Sequence, residues 1–171
     1  MKYLVVSDSH GDRQILVDLF AHYEGKVDKI FHCGDSELPA DDVLWQKAYV
    51  VTGNCDYDSS YQKAQLIDTG MDKVYLTHGH LCAVKMGLTQ LNYQAQEAGA
   101  NIALFGHTHQ LGCEMRTGCL FLNPGSISQP RGPIRIQSYA IIDSEEDSLK
   151  VQYYDRFFSP VSELSFTFKK Q

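Results

Sequence analysis

Five short runs of apolar residues recur along the chain, and each is followed at once by polar residues. Runs of this length, bounded by glycine, asparagine or aspartate, are typical of buried strands and too short for most helices. The runs cover residues 3–6, 30–33, 49–52, 74–77 and 102–105. We therefore predict five strands whose carboxyl ends carry polar side chains.

Two segments between these strands have the apolar spacing of amphipathic helices. In residues 12–23 the apolar positions recur at intervals of three and four, and Asp12 is placed to cap the first turn. A second apolar stripe covers residues 84–98, and Gly99 stands where a C′ glycine belongs. The sequence therefore predicts a helix over each segment. The first strand, helix and second strand should form a right-handed crossover between parallel strands.

The later part of the chain alternates apolar with polar residues, as half-buried strands do. A hairpin around Gly118 is predicted, and so is a strand that pairs with residues 74–77 through the turn near Gly70. Strands with helices, followed by a run of strands, favour an α/β fold of two packed sheets with helices on the outer faces. We expect one domain over residues 1–171. The further predicted strands cover residues 65–68, 112–117, 120–123, 139–143, 149–155 and 164–168.

The composition excludes several classes of protein. Of the 171 residues 43% are hydrophobic and 21% charged, as in ordinary globular domains. The formal net charge of −6 argues against a broad basic surface for long nucleic acid or anionic membranes. No stretch is apolar over the length that spans a bilayer, and the five cysteines show no disulfide or C-x-x-C pattern. We therefore expect reduced thiols and a cytoplasmic protein.

Most of the histidines lie directly after the predicted strands. The carboxyl ends of strands in an open α/β sheet meet at one edge, where ligands bind. Because one residue separates His107 from His109, an extended backbone would turn both imidazoles toward a common point. Imidazole, carboxylate and amide groups gathered at one edge indicate a metal centre. The metal-capable residues at the strand ends are Asp8, His10, Asp35, Asn54, His78, His80, His107 and His109.

In order along the chain, the motifs D-x-H, G-D, G-N-x-D, H-G and G-H-x-H resemble those of the calcineurin-like metallophosphoesterases. The short length, the G-N-C-D variant and the N-P-G-S stretch are most similar to small bacterial phosphodiesterases of the YfcE type. The resemblance runs from Asp8 to about Arg131. It implies a four-layer α/β/β/α sandwich of two mixed sheets. It also implies one metal ion on Asp8, His10 and His109, a second on Asn54, His78 and His107, and Asp35 as the bridge.

The resemblance implies hydrolysis of a phosphodiester by in-line attack of a hydroxide shared by the two ions. A bridging carboxylate holds two cations about 4 Å apart, which lets them ionise water and clamp a phosphoryl group. Manganese is the first expectation for the ions, and nickel, iron, zinc or cobalt suit the same ligands. The expected substrate is a small phosphodiester, such as a cyclic nucleotide or dinucleotide.

The residue after Asn54 departs from many relatives, which have a histidine there to protonate the leaving oxygen. Here it is Cys55, whose thiol (ordinary pKa about 8.5) is a poorer proton donor than imidazolium. Asp56, His80 or a metal-bound water are alternative donors, and Cys55 as a space-filling residue is an equal alternative. We expect weak leaving-group protonation, so that aryl phosphodiesters are cleaved much faster than alkyl ones.

Few other residues have a sequence pattern that points to substrate. Asn54 is a candidate for contact with the phosphate, and Arg131, just after the N-P-G-S turn, is the best placed arginine. His80 either orients the substrate or supports its own loop. His22 and His32 lie within predicted elements, and ordinary surface or core roles are expected for both.

Three other functions fit parts of the pattern. A phosphomonoesterase would use the same ligands, although the sparse basic residues favour diesters, which carry less negative charge. A protein-binding scaffold of the same fold, such as the retromer scaffold subunit, would need no catalysis, yet all seven ligand positions carry suitable groups. Nuclease action on long nucleic acid fits poorly with the acidic balance. Association of identical chains is left open.

Overall fold

The computed structural model describes residues 1–171 as two β-sheets packed face to face. The six-stranded sheet has the strand order β11-β10-β9-β1-β2-β3, and the five-stranded sheet has the order β4-β5-β6-β8-β7. The elements are β1 Lys2–Val6, α1 Arg13–His22, β2 Lys29–His32, β3 Tyr49–Val50, β4 Ala64–Asp68, β5 Lys73–Thr77, α2 Thr89–Glu97, β6 Ile102–Leu104, β7 Gly112–Arg116, β8 Cys119–Asn123, β9 Ser138–Ser144, β10 Ser148–Asp155 and β11 Pro160–Lys169.

Both sheets are mixed. Strands β1, β2 and β3 are parallel, and β9, β10 and β11 continue the same sheet as antiparallel strands. In the other sheet β5, β6 and β8 are parallel, while β4 and β7 are antiparallel edge strands. The parallel strands of both sheets therefore direct their carboxyl ends to loops that can meet at one edge.

Three hydrophobic clusters correspond to the three interfaces of a four-layer sandwich. Successive residues of β1 alternate between them: Tyr3 and Val5 belong to the core between the sheets, whereas Leu4 and Val6 pack against α1. On the outer face of the five-stranded sheet, Leu91 of α2 belongs to a third cluster with strand residues. The α/β/β/α architecture expected from the sequence is thus confirmed.

The first predicted helix is confirmed, and the second is shorter than predicted. Asp12 caps α1, since its side chain accepts a hydrogen bond of 3.2 Å from the Ile15 amide. The helix α2 begins only at Thr89, because Gly87 has φ 129° and interrupts the preceding 3₁₀ turn. Val84 of that turn still packs into the same cluster as α2. The apolar stripe therefore reflects shared burial and not one continuous helix.

The predicted hairpin around Gly118 is confirmed, with Thr117 and Gly118 both at positive φ between antiparallel β7 and β8. The strand predicted over residues 49–52 pairs only at Tyr49–Val50. None of the five cysteines forms a disulfide. No helix has the length and apolar character needed to cross a membrane.

The loops after the parallel strands of both sheets are joined to one another by backbone hydrogen bonds. The Asp8 amide donates to the Gly34 carbonyl at 3.1 Å, which links the loops that follow β1 and β2. The Gly106 amide donates to the His78 carbonyl at 3.0 Å, which links the loops that follow β6 and β5. The predicted convergence of strand ends is therefore observed within each sheet.

Candidate metal centre

Four predicted ligands from three loops form a compact group. The ligand atoms of Asp8, His10, Asp35 and His109 all lie within 4.8 Å of one another. Nε2 of His109 is 3.0 Å from Oδ1 of Asp8 and 3.1 Å from Nε2 of His10. Three of the four residues are buried, and His10 is half-buried. A cation placed here would be surrounded by protein atoms from both sheets.

The proton on His109 shows what this group can bind. Nδ1 of His109 lies 2.7 Å from the Gln129 carbonyl oxygen. That oxygen can only accept a hydrogen bond, so Nδ1 is the donor, and in this tautomer Nε2 carries a lone pair. That lone pair faces Oδ1 of Asp8, a buried oxygen with no hydrogen-bond partner. A carboxylate oxygen and bare imidazole nitrogens facing one another repel unless a cation lies between them. The residues present therefore fit a divalent metal ion.

A second group lies beside the first. Nδ1 of His78 donates to the Cys33 carbonyl at 2.7 Å, which again leaves Nε2 facing inward. This Nε2 is 3.2 Å from Oδ2 of Asp35 and 3.1 Å from Oδ1 of Asn54. The His107 ring lies 5.2 Å from the His78 ring, measured between centroids. Asp35 thus belongs to both groups, as a bridging carboxylate would.

The backbone at five of these residues is in the left-handed region. That conformation is unusual outside glycine and is typical of strained functional loops. It overturns the expectation of an extended backbone through residues 107–109: both histidines turn at positive φ, and only His109 joins Asp8 and His10. His107 lies beside His78 instead. The five φ values are 53° at Asp8, 45° at His10, 55° at Asp35, 67° at His107 and 58° at His109.

Two glycines let the loops approach this closely. A Cβ atom on Gly53 would collide with the carboxylate of Asp35. A Cβ atom on Gly106 would collide with Ser7 Oγ and would lie 2.5 Å from Oδ2 of Asp8. The glycines of the G-N and G-H motifs therefore make room for the two carboxylates that the metal ions would need.

The electrostatics keep both carboxylates ionised. Burial alone would raise the pKa of Asp35, but the hydrogen bond and charge of His78 outweigh burial and lower it. Burial likewise opposes the protonation of His78, and the neighbouring Asp35 and Asp8 overcome this and raise the His78 pKa. Without a metal ion His78 therefore tends to hold a proton, which a bound cation would displace.

His107 behaves in the opposite way. Burial lowers the pKa of its imidazole to about 4, and the positive charges of His78 and Lys85 act in the same direction. His107 is therefore neutral at physiological pH, the form in which imidazole binds metal ions.

Two supporting side chains were not identified from the sequence. Glu37 Oε2 lies 3.0 Å from Nδ1 of His10 and holds the ring with Nε2 directed at the metal group. His32, expected to have an ordinary role, bonds to Ser9 Oγ at 3.0 Å and accepts the Gly34 amide at 3.1 Å. It therefore ties the loop of Asp8 to the loop of Asp35. Neither contact has a sequence signal, since each depends on two distant loops meeting.

The N-P-G-S stretch shapes the backbone beneath the centre. Ser126 Oγ donates to the Asp8 carbonyl at 2.7 Å. The side-chain amide of Asn123 donates hydrogen bonds to the Gly106 carbonyl at 3.0 Å and to Thr108 Oγ1 at 2.9 Å. Both residues are buried. They hold the loops that carry Asp8 and the two histidines of the G-H-x-H motif.

The candidate proton donors lie close to the centre but differ in their contacts. Asp56 accepts hydrogen bonds from the backbone amides of Asp35 at 2.8 Å and Gly53 at 2.7 Å, so it holds the backbone of the loop that carries Asp35. Cys55 Sγ is 3.4 Å from Nδ2, the side-chain nitrogen of Asn54. Burial, together with the charge of Asp35, raises the pKa of the Cys55 thiol to about 11. Their catalytic roles stay predictions.

His80 and Arg131 flank the centre. The His80 ring lies 5.3 Å from the His78 ring, and its buried Nδ1 has no hydrogen-bond partner. The backbone amide of Arg131 donates to the His109 carbonyl at 3.0 Å, and its exposed side chain forms no ion pair. Whether either side chain contacts substrate stays a prediction.

Comparison with known proteins gives the same family as the motifs. The model of the calcineurin-like phosphoesterase superfamily domain matches residues 1–147. The probable metallophosphoesterase YsnB of Bacillus subtilis is 40% identical, over 96% of each chain. A crystal structure of a predicted phosphoesterase from Streptococcus pneumoniae is 41% identical, with a TM-score of 0.96 over 99% of this chain and 97% of that one. Phosphodiesterase YfcE of Escherichia coli is 26% identical, over 85% of this chain and 89% of that protein.

Proposed function

The chain belongs to the calcineurin-like phosphoesterase superfamily, and we propose that it hydrolyses small phosphodiesters with two divalent metal ions at the strand ends. The observation that carries the proposal is geometric: Nε2 of His109, whose Nδ1 is held by the Gln129 carbonyl, lies 3.0 Å from the partnerless Oδ1 of Asp8. Relatives that are named metallophosphoesterase or phosphodiesterase support a phosphoric ester hydrolase.

The ligands divide into two sets that share one carboxylate. Asp8, His10 and His109 would hold one ion, in agreement with the distances of 3.0–3.1 Å that join their ligand atoms through His109. The second ion would be held by Asn54, His78 and His107, and Asp35 would bridge the pair. Two such ions supply an ionised water and neutralise the phosphoryl oxygens when bound.

The chain's own side chains position the phosphate and the leaving group. Cys55 replaces the imidazole that many relatives have at this place, and a thiol with a pKa of about 11 keeps its proton at neutral pH. Such a thiol can donate a hydrogen bond but transfers its proton reluctantly. Unless Asp56, His80 or a metal-bound water donates the proton, the departing oxygen leaves with most of its negative charge, so the enzyme should favour substrates with good leaving groups.

The scarcity of free cations near the centre supports diesters over monoesters. A monoester dianion carries one more negative charge than a diester and needs more positive side chains around it. Among lysines and arginines, Lys85 and Arg131 line the cavity beside the loop that carries His107 and His109, and Lys63 lies close enough to His80 to help lower its pKa. YfcE, a relative at 26% identity, is named a phosphodiesterase, which supports the same choice.

Metal reconstitution tests this proposal. The protein is stripped with a chelator and reloaded separately with manganese, nickel, zinc, iron or cobalt. Bound metal is then counted by mass spectrometry, and hydrolysis of bis(4-nitrophenyl) phosphate and 4-nitrophenyl phosphate is measured. We expect two ions per chain and faster hydrolysis of the diester. The Asp35→Asn variant should lose one ion and at least about a hundredfold in kcat/KM, since metal ions supply most of the rate enhancement in such sites.

Each outcome discriminates between functions. An Asp35→Asn variant as active as the parent would show that the assigned bridge is wrong. Faster hydrolysis of the monoester would replace the diesterase by a phosphomonoesterase. Two tightly bound ions without turnover of any phosphoester would instead support a binding role for the same fold.

A further inference from the structure

A cavity lies beside the candidate metal centre, next to the loop that carries His107 and His109. It has a volume of about 660 Å³ and lies on the outer, helix-side face of the five-stranded sheet, where Phe105 and Phe121 form part of its wall. Thr108, which stands between His107 and His109, also lines it. The cavity therefore begins at the loop that carries two predicted ligands, and its volume falls within the range of small-molecule sites.

The charges around the cavity are not balanced. Lys85 and Arg131 lie on its wall, both are exposed, and neither side chain forms an ion pair or hydrogen bond. The one acidic residue of the wall, Glu114, is already paired with Arg116 at 2.8 Å. In a chain with a net charge of −6, two unpaired cations at one cavity give it a local positive potential.

The rest of the wall is suited to a flat organic group. Leu88 and Leu111 are half-buried and, with Phe105 and Phe121, form the apolar part of the cavity wall. A ligand that matches both features has an apolar or aromatic body and a second anionic group. Nucleotides that carry a phosphate in addition to the scissile one have this chemistry.

We propose that this cavity binds one ester arm of the substrate and that Lys85 and Arg131 recognise a second anionic group on that arm. The proposal rests on the proposed function and adds a substrate class to it: diesters in which one arm carries a further phosphate, as in a 5′-phosphorylated dinucleotide. Selectivity for the second anion then comes from the two cations, whereas the metal centre handles the scissile phosphate in every substrate.

Equilibrium binding tests the proposal without requiring turnover. Thymidine 3′,5′-bisphosphate and thymidine 5′-monophosphate are titrated calorimetrically into the metal-loaded protein. We expect the bisphosphate to bind about tenfold more tightly or better, as two charge-assisted contacts would give. The Lys85→Gln/Arg131→Gln double variant should lose this preference. Lys85→Gln alone should reduce it, while the affinity of this single variant for the monophosphate changes by less than about twofold. The matched control is Lys26→Gln, which removes an exposed, unpaired lysine that does not line the cavity.

A kinetic comparison extends the test to substrates. The ratio of kcat/KM for the dinucleotides pTpT and TpT should exceed one in the parent and fall toward one in the double variant. In Lys85→Gln alone the ratio should fall while hydrolysis of bis(4-nitrophenyl) phosphate stays unchanged. Glu114→Gln removes the acidic group and should strengthen bisphosphate binding. Equal affinity of the parent for the two thymidine nucleotides, or a preference that survives in the double variant, overturns the proposal. Absence of hydrolysis of every phosphoester refutes the proposed function instead, and the binding data still decide this one.

Discussion

The contact between Glu37 and His10 allows a quantitative test of how the metal centre is held. Oε2 of Glu37 lies 3.0 Å from Nδ1 of His10, and the side chains are 37% and 9% exposed. A carboxylate that accepts a hydrogen bond from Nδ1–H of a ligating histidine fixes its tautomer and makes Nε2 more basic. Removing such a partner typically costs about 10–100-fold in metal affinity.

The exposure of Glu37 decides where in that range the effect falls. Because more than a third of its side chain is open to solvent, water can replace part of the contact, and we expect about tenfold for Glu37→Ala. Glu37→Gln keeps an acceptor oxygen without the charge and should cost less than Glu37→Ala. Manganese affinity is measured by competition with a fluorescent chelator. Glu24→Gln, which removes an exposed carboxylate paired with Lys47 at 2.7 Å, serves as the control.

A double-mutant cycle separates support of His10 from a general loss of negative charge. In a His10→Ala background the Glu37→Ala change should have almost no further effect, because the side chain through which it acts is gone. The reasoning is refuted if Glu37→Ala binds manganese like the parent, or if its full effect persists without His10.

Three further predictions concern packing, pH and the leaving group. Gly106→Ala should destabilise the protein by about 1–3 kcal/mol in urea unfolding and abolish metal binding, because its methyl group collides with Ser7. Burial alone would raise the pKa of Asp72, but hydrogen bonds from Ser144 and Lys170 outweigh burial and lower it. The ionised carboxylate therefore stabilises the folded protein fully above the ordinary carboxyl pKa, and this contribution is lost as pH falls through the lowered pKa. Asp72→Asn should therefore cost about 1–3 kcal/mol at pH 7, and the difference from the parent should shrink below about pH 4. Rates for a series of aryl and alkyl phosphodiesters should fall steeply as leaving-group pKa rises in the parent and less steeply in Cys55→His; a flat dependence in the parent would contradict weak protonation.

The architecture and the family could be predicted because both follow from local patterns. Each apolar run is short and is followed by metal-capable residues, so the strands and the edge that carries the candidate ligands can both be predicted. The unbroken apolar run from Tyr3 to Val6 also predicts a buried strand, and the structure buries its two faces in two different clusters. The family motifs survive as short residue strings, which is why comparison with known proteins gives the same family.

What could not be predicted depends on backbone conformation and on contacts between distant loops. Apolar periodicity did not reveal that Gly87 interrupts the second helix, since Val84 is buried in the same cluster either way. His10 and Glu37 are 27 residues apart in the chain and meet only because two loops meet. His107 and His109 were expected on an extended backbone, and no spacing rule shows that both turn into the left-handed region.

The left-handed conformation of Asp8 and Asp35 restricts which residues can replace them over evolution. Asparagine, histidine and glycine enter this conformation at small cost, whereas valine and isoleucine do not. A lineage could therefore exchange either aspartate for asparagine, lose its ions and still keep the sandwich intact. Substitution at these two positions can therefore remove metal binding without unfolding the protein. A protein that has lost its metal ligands in this way keeps a fold that can serve another function.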